Sequence, residues 1–499
     1  MEDIELIRIL NRMNPWWETG NVPSLQLEEF KRRDLTKLCE RLPERYILAL
    51  AGPRRVGKTT LLYQLIDYLI TEREVLKNQI LFLTLDDPFW KSLNVPFDKV
   101  LQVYSEFILG CSISDISYKK EKERIFIILD EVQNWNDWEL VLKSYYDRRL
   151  NIKFVISGSS SPYLLAKSSE SLVGRIHYQL VFPFKLLEVS RFKCQLLNKK
   201  QDMKELDKFN WEFRKSIENS IEKDSVLEII EFLNKKLAYW TNKEIEWRNI
   251  LNDYIVQGGF PEILTQNPQK AREYLRDYVE LTIHRDIQRF YREIRGIDNF
   301  KKIFFWIIRE SSQRSNITNL SNKIGLKRET TQKYLKMLES VYLIRRVTYY
   351  SKSTSKVARF PEKFFITDIG IQAAYLSLPL QIHKYDETML GKIVETLVCD
   401  HLTRLKFNLE SGLDSSLYYW YDTKTRKEVD LICELFRKPI PFEVKYQNQI
   451  RKSDMKGLNK FFEFHENSPF GFILSKKTID FTSYKKIIIL PLWLFLMVP

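Results

Sequence analysis

The chain is poor in cysteine. Its 499 residues hold five, Cys39, Cys111, Cys194, Cys399 and Cys433, all far apart. No C-x-x-C occurs, which argues against zinc ribbons and thioredoxin-type redox motifs. An odd, scattered set in a chain this long reads as reduced, and the expected compartment is the cytoplasm. Histidine is equally scarce: the five residues show no H-x-x-x-H spacing, which argues against a zinc hydrolase. The N-terminal MEDIELIRIL lacks an apolar core of the kind a signal peptide needs. Long hydrophobic runs are missing too. The longest, Ile487 to Pro499, is too short to cross a bilayer and contains Pro491. A final buried strand plus tail is expected there, and no membrane partner.

What is present is ordinary globular material. Hydrophobic residues make up 44% and charged residues 29%, enough apolar surface for more than one core. Length alone suggests about three domains. The formal net charge is +14, a surplus that suits a polyanionic partner without specifying one.

Residues 1–45 read as a helical N-terminal segment. From Tyr46 short apolar runs alternate with helical stretches: YILALAG, ILFLTL at 80–85, IFIIL at 125–129, KFVIS at 153–157 and HYQLVF at 177–182. This alternation predicts a parallel sheet with helices on both faces over 46–190. Residues 191–295, rich in Lys, Glu and Asn, read as a helical lid.

Between the first strand and its helix stands Gly52-Pro53-Arg54-Arg55-Val56-Gly57-Lys58-Thr59, a full G-x-x-x-x-G-K-[ST] phosphate loop. Glycines let the backbone wrap so that successive N–H groups face the phosphates of ATP. The helix N-terminus adds its dipole. Lys58 supplies a point charge and Thr59 a hydroxyl for Mg²⁺. The apolar run at 125–129 ends in Asp130 and Glu131. A strand buried on both faces reads this way. Asp130 would hold Mg²⁺ at the ligand edge of the sheet, and Glu131 would polarise the attacking water. Ser159, after the fourth run, is a candidate contact to the γ-phosphate or the water; its bland reading is a turn or N-cap serine. Arg175, in Leu-Val-Gly-Arg, is a candidate cation for transition-state charge, in cis or across a subunit boundary of a homo-oligomer; a solvated surface arginine is the alternative.

GPRRVGKTTLL, LDEVQNWNDWE, ISGSSSPYLL, LVGRIHYQLVFPFKLLEV and QGGFPE together resemble the archaeal and bacterial AAA-type ATPases that carry a C-terminal domain of once-unknown function. The resemblance runs from about residue 30 to the end. It implies a P-loop core in which the strand carrying the Walker B acids is not adjacent to the phosphate-loop strand. By position, Gly52 to Thr60 would be Walker A, Asp130 and Glu131 Walker B, and Ser159 a sensor-like residue. The stretch at 185–285 is longer than the family's lid.

Residues 296–352 show a helix, a turn containing Gly325, a second helix from about Lys327 to Ser340, and VYLIRRVTYY, read as a two-stranded wing. This looks like a winged helix. In the DNA-binding form Lys327, Arg328, Thr331 and Gln332 would lie near the groove, with Arg345 and Arg346 on phosphates. Intramolecular packing alone is the other reading.

Three fragments follow in order: Glu395 on a predicted helix, Asp430 on an apolar strand, then Glu443 and Lys445 two apart on the next strand. Glu443 and Lys445 therefore share a face. Asp430 and Glu443 could bind Mg²⁺ and activate water for phosphodiester hydrolysis, with Lys445 orienting or deprotonating it. This order is similar to the PD-(D/E)XK nuclease superfamily, which implies a restriction-endonuclease-like domain at 353–499. A degenerate fold that binds DNA or a protein is the alternative. His284-Arg285-Asp286 resembles a kinase catalytic loop, but Tyr291 stands where that motif needs asparagine. The expectation is thus an α/β multidomain chain: P-loop parallel sheet, helical lid, winged-helix module and C-terminal mixed α/β endonuclease-like domain. ATP and DNA are the expected partners, and nucleotide state would control DNA binding or cleavage.

Overall fold

The computed structural model describes residues 2–88, 95–113, 124–159, 172–287, 296–410, 416–480 and 486–498. Two compact units divide the chain, Met1–Phe182 and Pro183–Pro499. The division lies a few residues before the expected boundary at 190.

The first unit is built on five parallel strands, β1 (Ile47–Ala51), β2 (Ile80–Thr84), β3 (Ile125–Asp130), β4 (Ile152–Gly158) and β5 (Ile176–Leu180). Their order is β2-β3-β4-β1-β5. The Asp130 strand is therefore separated from the phosphate-loop strand by β4. β1 and β3 are buried at every position, as central strands covered on both faces must be. Helix α1 (Lys58–Thr71) follows the loop and buries Leu61, Leu62, Leu65, Ile66 and Leu69.

The N-terminal segment is part of this layer. β2 is an edge strand, and its free backbone groups need partners. Asn14 supplies them: its Oδ1 accepts from Phe82 N at 2.6 Å and its Nδ2 donates to Phe82 O at 3.0 Å. The indoles of Trp16 and Trp17 both donate to Ile80 O. NPWW thus closes the sheet edge.

The second unit begins with helices: α2 (Leu186–Leu196), α3 (Lys200–Glu222), α4 (Leu227–Lys235), α5 (Leu237–Gln257) and α6 (Pro268–Leu281). Then come α7 (Ile297–Arg309), β6 (Arg314–Ser315), α8 (Ile317–Ile324), α9 (Arg328–Ser340), β7 (Ile344–Tyr349) and β8 (Glu362–Ile366). After α10 (Glu387–Glu410) follow β9 (Tyr418–Asp422), β10 (Lys427–Leu435), β11 (Lys438–Lys445), α11 (Lys456–Phe464), β12 (Gly471–Ser475) and β13 (Ile487–Pro491). The terminal apolar run holds the expected buried strand, and its tail is a short buried helix that was not foreseen.

Among the described residues, the eight strands of this unit form one sheet, ordered β13-β12-β11-β10-β9-β7-β8-β6. This corrects two expectations. VYLIRRVTYY supplies one strand, β7, and its antiparallel partner is β8, not a second strand within the run. The boundary expected at 352/353 falls between these two hydrogen-bonded strands, and β7 also pairs with β9 through Thr348–Tyr418. Two expected domains share a single sheet. Among the described residues, no helix is long and apolar enough to cross a membrane.

Candidate functional site

The phosphate loop connects β1 to α1 at the C-terminal edge of the parallel sheet. Gly52 is required by close approach: a Cβ there would meet Val181 O at 2.0 Å. Gly57 has φ +90°, a conformation glycine adopts without strain. Arg32, buried, donates to Val56 O at 3.0 Å and pins the loop from outside. The motif alone gave no sign of that residue. Lys58 is 5% exposed. Its Nζ donates to Gly52 O at 3.0 Å and Pro53 O at 2.7 Å.

The loop meets β3 at Asp130. Thr59 Oγ1 donates to Asp130 Oδ2 at 2.7 Å, although the two residues lie 71 apart in sequence. Ser157, at the end of β4, donates to the other carboxylate oxygen and accepts from Glu131 N at 3.2 Å. Burial, then the charge of Glu131, pushes the Asp130 carboxyl up to about 6; hydrogen bonds from Ser157 and Thr59 and the charge of Lys58 work against that rise. Two oxygen ligands this close, one of them anionic, fit a hard divalent cation such as Mg²⁺.

Glu131 sits at φ +55°. A non-glycine residue held there is strained by about 1–3 kcal/mol, and such strain concentrates at functional sites. The side chain is held by Gln133, whose amide nitrogen donates to Glu131 Oε2 and, at 3.0 Å, to Ser159 Oγ. Ser159 thus belongs to the cluster through Gln133. Gln133 was not foreseen. Its signal was only a polar residue two positions past the acid pair.

Arg175 is not in this cluster. It precedes β5, and its carbonyl accepts from Ile47 N at the start of β1. That is the N-terminal edge of the sheet, roughly 13 Å of strand away from the phosphate-loop edge. Its guanidinium pairs with Asp147 at 2.8 Å. The in-cis role is therefore set aside.

The second unit brings Glu395, Asp430, Glu443 and Lys445 together, lining one open cleft of about 430 Å³. Pairing of Leu431 with Phe442 sets Asp430 opposite Glu443. The ladder to β9 is irregular between Val429 and Ile432, a local break that re-aims Asp430. Asp430 Oδ2 accepts from Val444 N at 2.8 Å, and Lys445 Nζ pairs with Glu443 Oε1 at 2.6 Å. Burial, then Asp430, pushes Glu443 up to about 8. Burial opposes the Lys445 ammonium, but Asp430 and Glu443 outweigh it and raise its pKa.

At the centre of these acids is a residue that the motif did not include. Lys363, on β8, is 2% exposed. Its Nζ lies 2.9 Å from Glu395 Oε1, 2.9 Å from Glu428 Oε1 and 3.9 Å from Asp430 Oδ1, and donates to Asp430 O at 3.3 Å. Burial lowers its pKa, yet Glu395, Asp430 and Glu428 outweigh that and raise it well above the lysine range. Glu395 is pushed up to about 7 by burial, against the pull of Lys363. Arg314 holds the other Glu428 oxygen at 3.1 Å. Among the described residues, no group of three or more Asp, Glu, His or Cys side chains is arranged to hold a metal ion. Asp430 and Glu443, the expected Mg²⁺ ligands, are already engaged by other groups, Asp430 by Val444 N and Glu443 by Lys445. Their neighbours are ammonium groups and a backbone N–H.

The helical module needs corrections too. Lys327 and Arg328 are exposed at the start of α9, and Gln332 is partly so. Thr331 is buried, donating to Lys327 O and bonded to Ser321. Arg346 is tied to Glu362 at 2.8 Å and Arg345 to Asp400 at 3.5 Å. These arginines serve internal ion pairs. Ser160, beside Ser159, lies outside the described residues.

Residues 44–190 match the family profile described as "AAA domain". Residues 248–381 and 390–495 match two profiles described as domains of unknown function (DUF8612 and DUF4143). Two uncharacterized proteins of Methanocaldococcus jannaschii are similar. One is 23% identical, covering 75% of this chain and 72% of its own length. The other is 25% identical, covering 77% and 71%. An uncharacterized protein of Haemophilus influenzae is 21% identical, over 84% of this chain and 85% of its own. Among solved structures, a Walker-type ATPase of Pyrococcus abyssi has a TM-score of 0.38 at 16% identity, covering 70% of this chain and 96% of its own. The first unit thus carries an AAA-type P-loop ATPase domain.

Proposed function

We propose that this chain is an ATP hydrolase whose nucleotide state controls the engagement of nucleic acid by its second unit. The observation that carries the hydrolytic part is the Thr59–Asp130 contact at 2.7 Å, with Glu131 one residue on and held by Gln133. Lys58, exchanging its loop carbonyls for phosphate oxygens, binds the triphosphate. Thr59 and Asp130 would hold Mg²⁺, which when bound neutralises phosphate charge. Glu131 orients water and takes its proton, and Gln133 and Ser159 fix the angle at which it does so. Arg175 from a neighbouring copy could stabilise charge on the transferred phosphoryl group, which requires a homo-oligomer.

The nucleic-acid part rests on α7–β6–α8–α9–β7–β8, an order that suits a winged helix. Lys327 and Arg328 are exposed where such a fold contacts DNA. A second reading, cleavage by the C-terminal carboxylates, is favoured by their convergence in one cleft. It needs a metal that the present side chains do not fit, so no step is derived through one.

The test combines both parts. Glu131→Gln should lower ATP turnover by roughly 10²–10⁴-fold while ATP still binds. The ATP-loaded variant should then differ from the nucleotide-free one in duplex DNA affinity, with binding that weakens as salt rises. Undiminished turnover would remove Glu131 as base, and equal affinities would remove the control of DNA.

A further inference from the structure

The geometry points to a role for Lys363: we propose that its ammonium takes the place of a divalent cation among the C-terminal carboxylates, so that this cleft carries its own fixed cation and binds no metal ion. The inference concerns the second unit alone and does not rest on ATP hydrolysis.

Three observations support it. The first is position. Lys363 Nζ is within 2.9 Å of carboxylates from two different elements, Glu395 on α10 and Glu428 on β10, and 3.9 Å from Asp430. A cation gathering acids from a helix and a strand is the task a metal would otherwise perform here. The second is fixity. Lys363 belongs to β8, hydrogen-bonded on both sides, opposite Arg314 on β6 and Val347 on β7. It is buried and bonded to a backbone carbonyl as well, so the ammonium has nowhere to withdraw to if a second cation arrives. Two cations a few ångströms apart in a buried site repel strongly.

The third is the state of the remaining oxygens. Asp430 Oδ2 is taken by Val444 N, Glu443 Oε1 by Lys445 and Glu428 Oε2 by Arg314. Glu443 Oε2 is buried without a hydrogen-bond partner. It faces the start of α11, where a Cβ on Gly457 would come within 3.6 Å of it. Asp430 Oδ1 lies 3.9 Å from the Lys363 ammonium, so a divalent cation bridging it to Glu443 Oε2 would stand beside a fixed positive charge.

Removing the ammonium should therefore create a metal site. The experiment titrates Mn²⁺ alone into the full chain carrying Asp130→Asn, which takes the nucleotide-site carboxylate out of the count. Free Mn²⁺ is read by its electron paramagnetic signal. With Lys363 present, no ion should bind. Lys363→Met should bind one ion per chain, lost again on adding Asp430→Asn, and Mn²⁺ should raise the melting temperature of Lys363→Met but not of its parent. Binding to the Lys363-bearing chain that Asp430→Asn abolishes would overturn the proposal. So would a Lys363→Met chain with native circular dichroism that gains no ion. If Lys363→Met does not fold, the Lys363-bearing chain decides alone: Asp430-dependent binding overturns the proposal, and its absence upholds it. ATP turnover is not read, so failure here leaves the hydrolase reading untouched.

Discussion

Lys58 and Lys363 are both lysines withdrawn from water, one in each unit, and they are held in opposite ways. Lys58 donates to two neutral carbonyls of its own loop. Phosphate is a stronger partner than a carbonyl, so this cation is positioned for exchange. Lys363 is held by carboxylates that stay with it. The first arrangement keeps a charge available for a ligand. The second neutralises an acid cluster permanently. A buried lysine therefore marks a binding site or a closed ion network according to what holds it, and burial alone does not separate the two.

The difference is measurable as stability. Lys363→Met leaves buried carboxylates without their partner and should destabilise the second unit by about 3–5 kcal/mol. Lys58→Met removes hydrogen bonds to neutral carbonyls and should cost the first unit only about 1 kcal/mol, while abolishing ATP binding. Denaturant unfolding of both variants checks this. Equal losses would erase the distinction.

A smaller effect sharpens it through pH. Burial, then the charge of Asp430, pushes the Glu443 carboxyl up from its ordinary 4.5 to about 8. Across that window the folded chain retains a proton that the unfolded chain has released. Its stabilising contribution is thus full below 4.5 and is lost as pH rises toward 8. Glu395, raised to about 7, acts in the same direction. Stability of the second unit should fall with pH over this range by about 1.4 kcal/mol per unit for each retained proton, and Glu443→Gln should remove one proton's share of the slope. A slope unchanged in that variant would assign the proton elsewhere.

The first unit was largely legible in its sequence. All five strands lie within a few residues of their apolar runs, because a parallel sheet covered on both faces demands unbroken hydrophobic segments. The phosphate loop announces itself because its chemistry depends on local spacing. The second unit was harder to read for the opposite reason. Glu395, Asp430, Glu443 and Lys445 do converge, but the group that organises the acids, Lys363, comes from a strand whose hydrogen-bonded partners, β6 and β7, fell in a separate expected domain. Its sequence signal was slight: a lysine beside Phe364, Phe365 and Ile366 on a buried strand. Arg345 and Arg346 misled similarly. A basic pair at the end of a helical module suggests phosphate, whereas Asp400 and Glu362, contributed by other elements, claim both. Arg175 was a candidate cation in Leu-Val-Gly-Arg, and the direction of β5 together with its pairing to Asp147 argues against the role in cis.

The most direct test counts metal ions in the unmodified chain. Mn²⁺ bound per chain is measured with and without a non-hydrolysable ATP analogue. One ion should bind, only with nucleotide, and Asp130→Asn should remove it while Asp430→Asn leaves it unchanged. A second ion that needs no nucleotide and disappears with Asp430→Asn would contradict the assignment of these two sites.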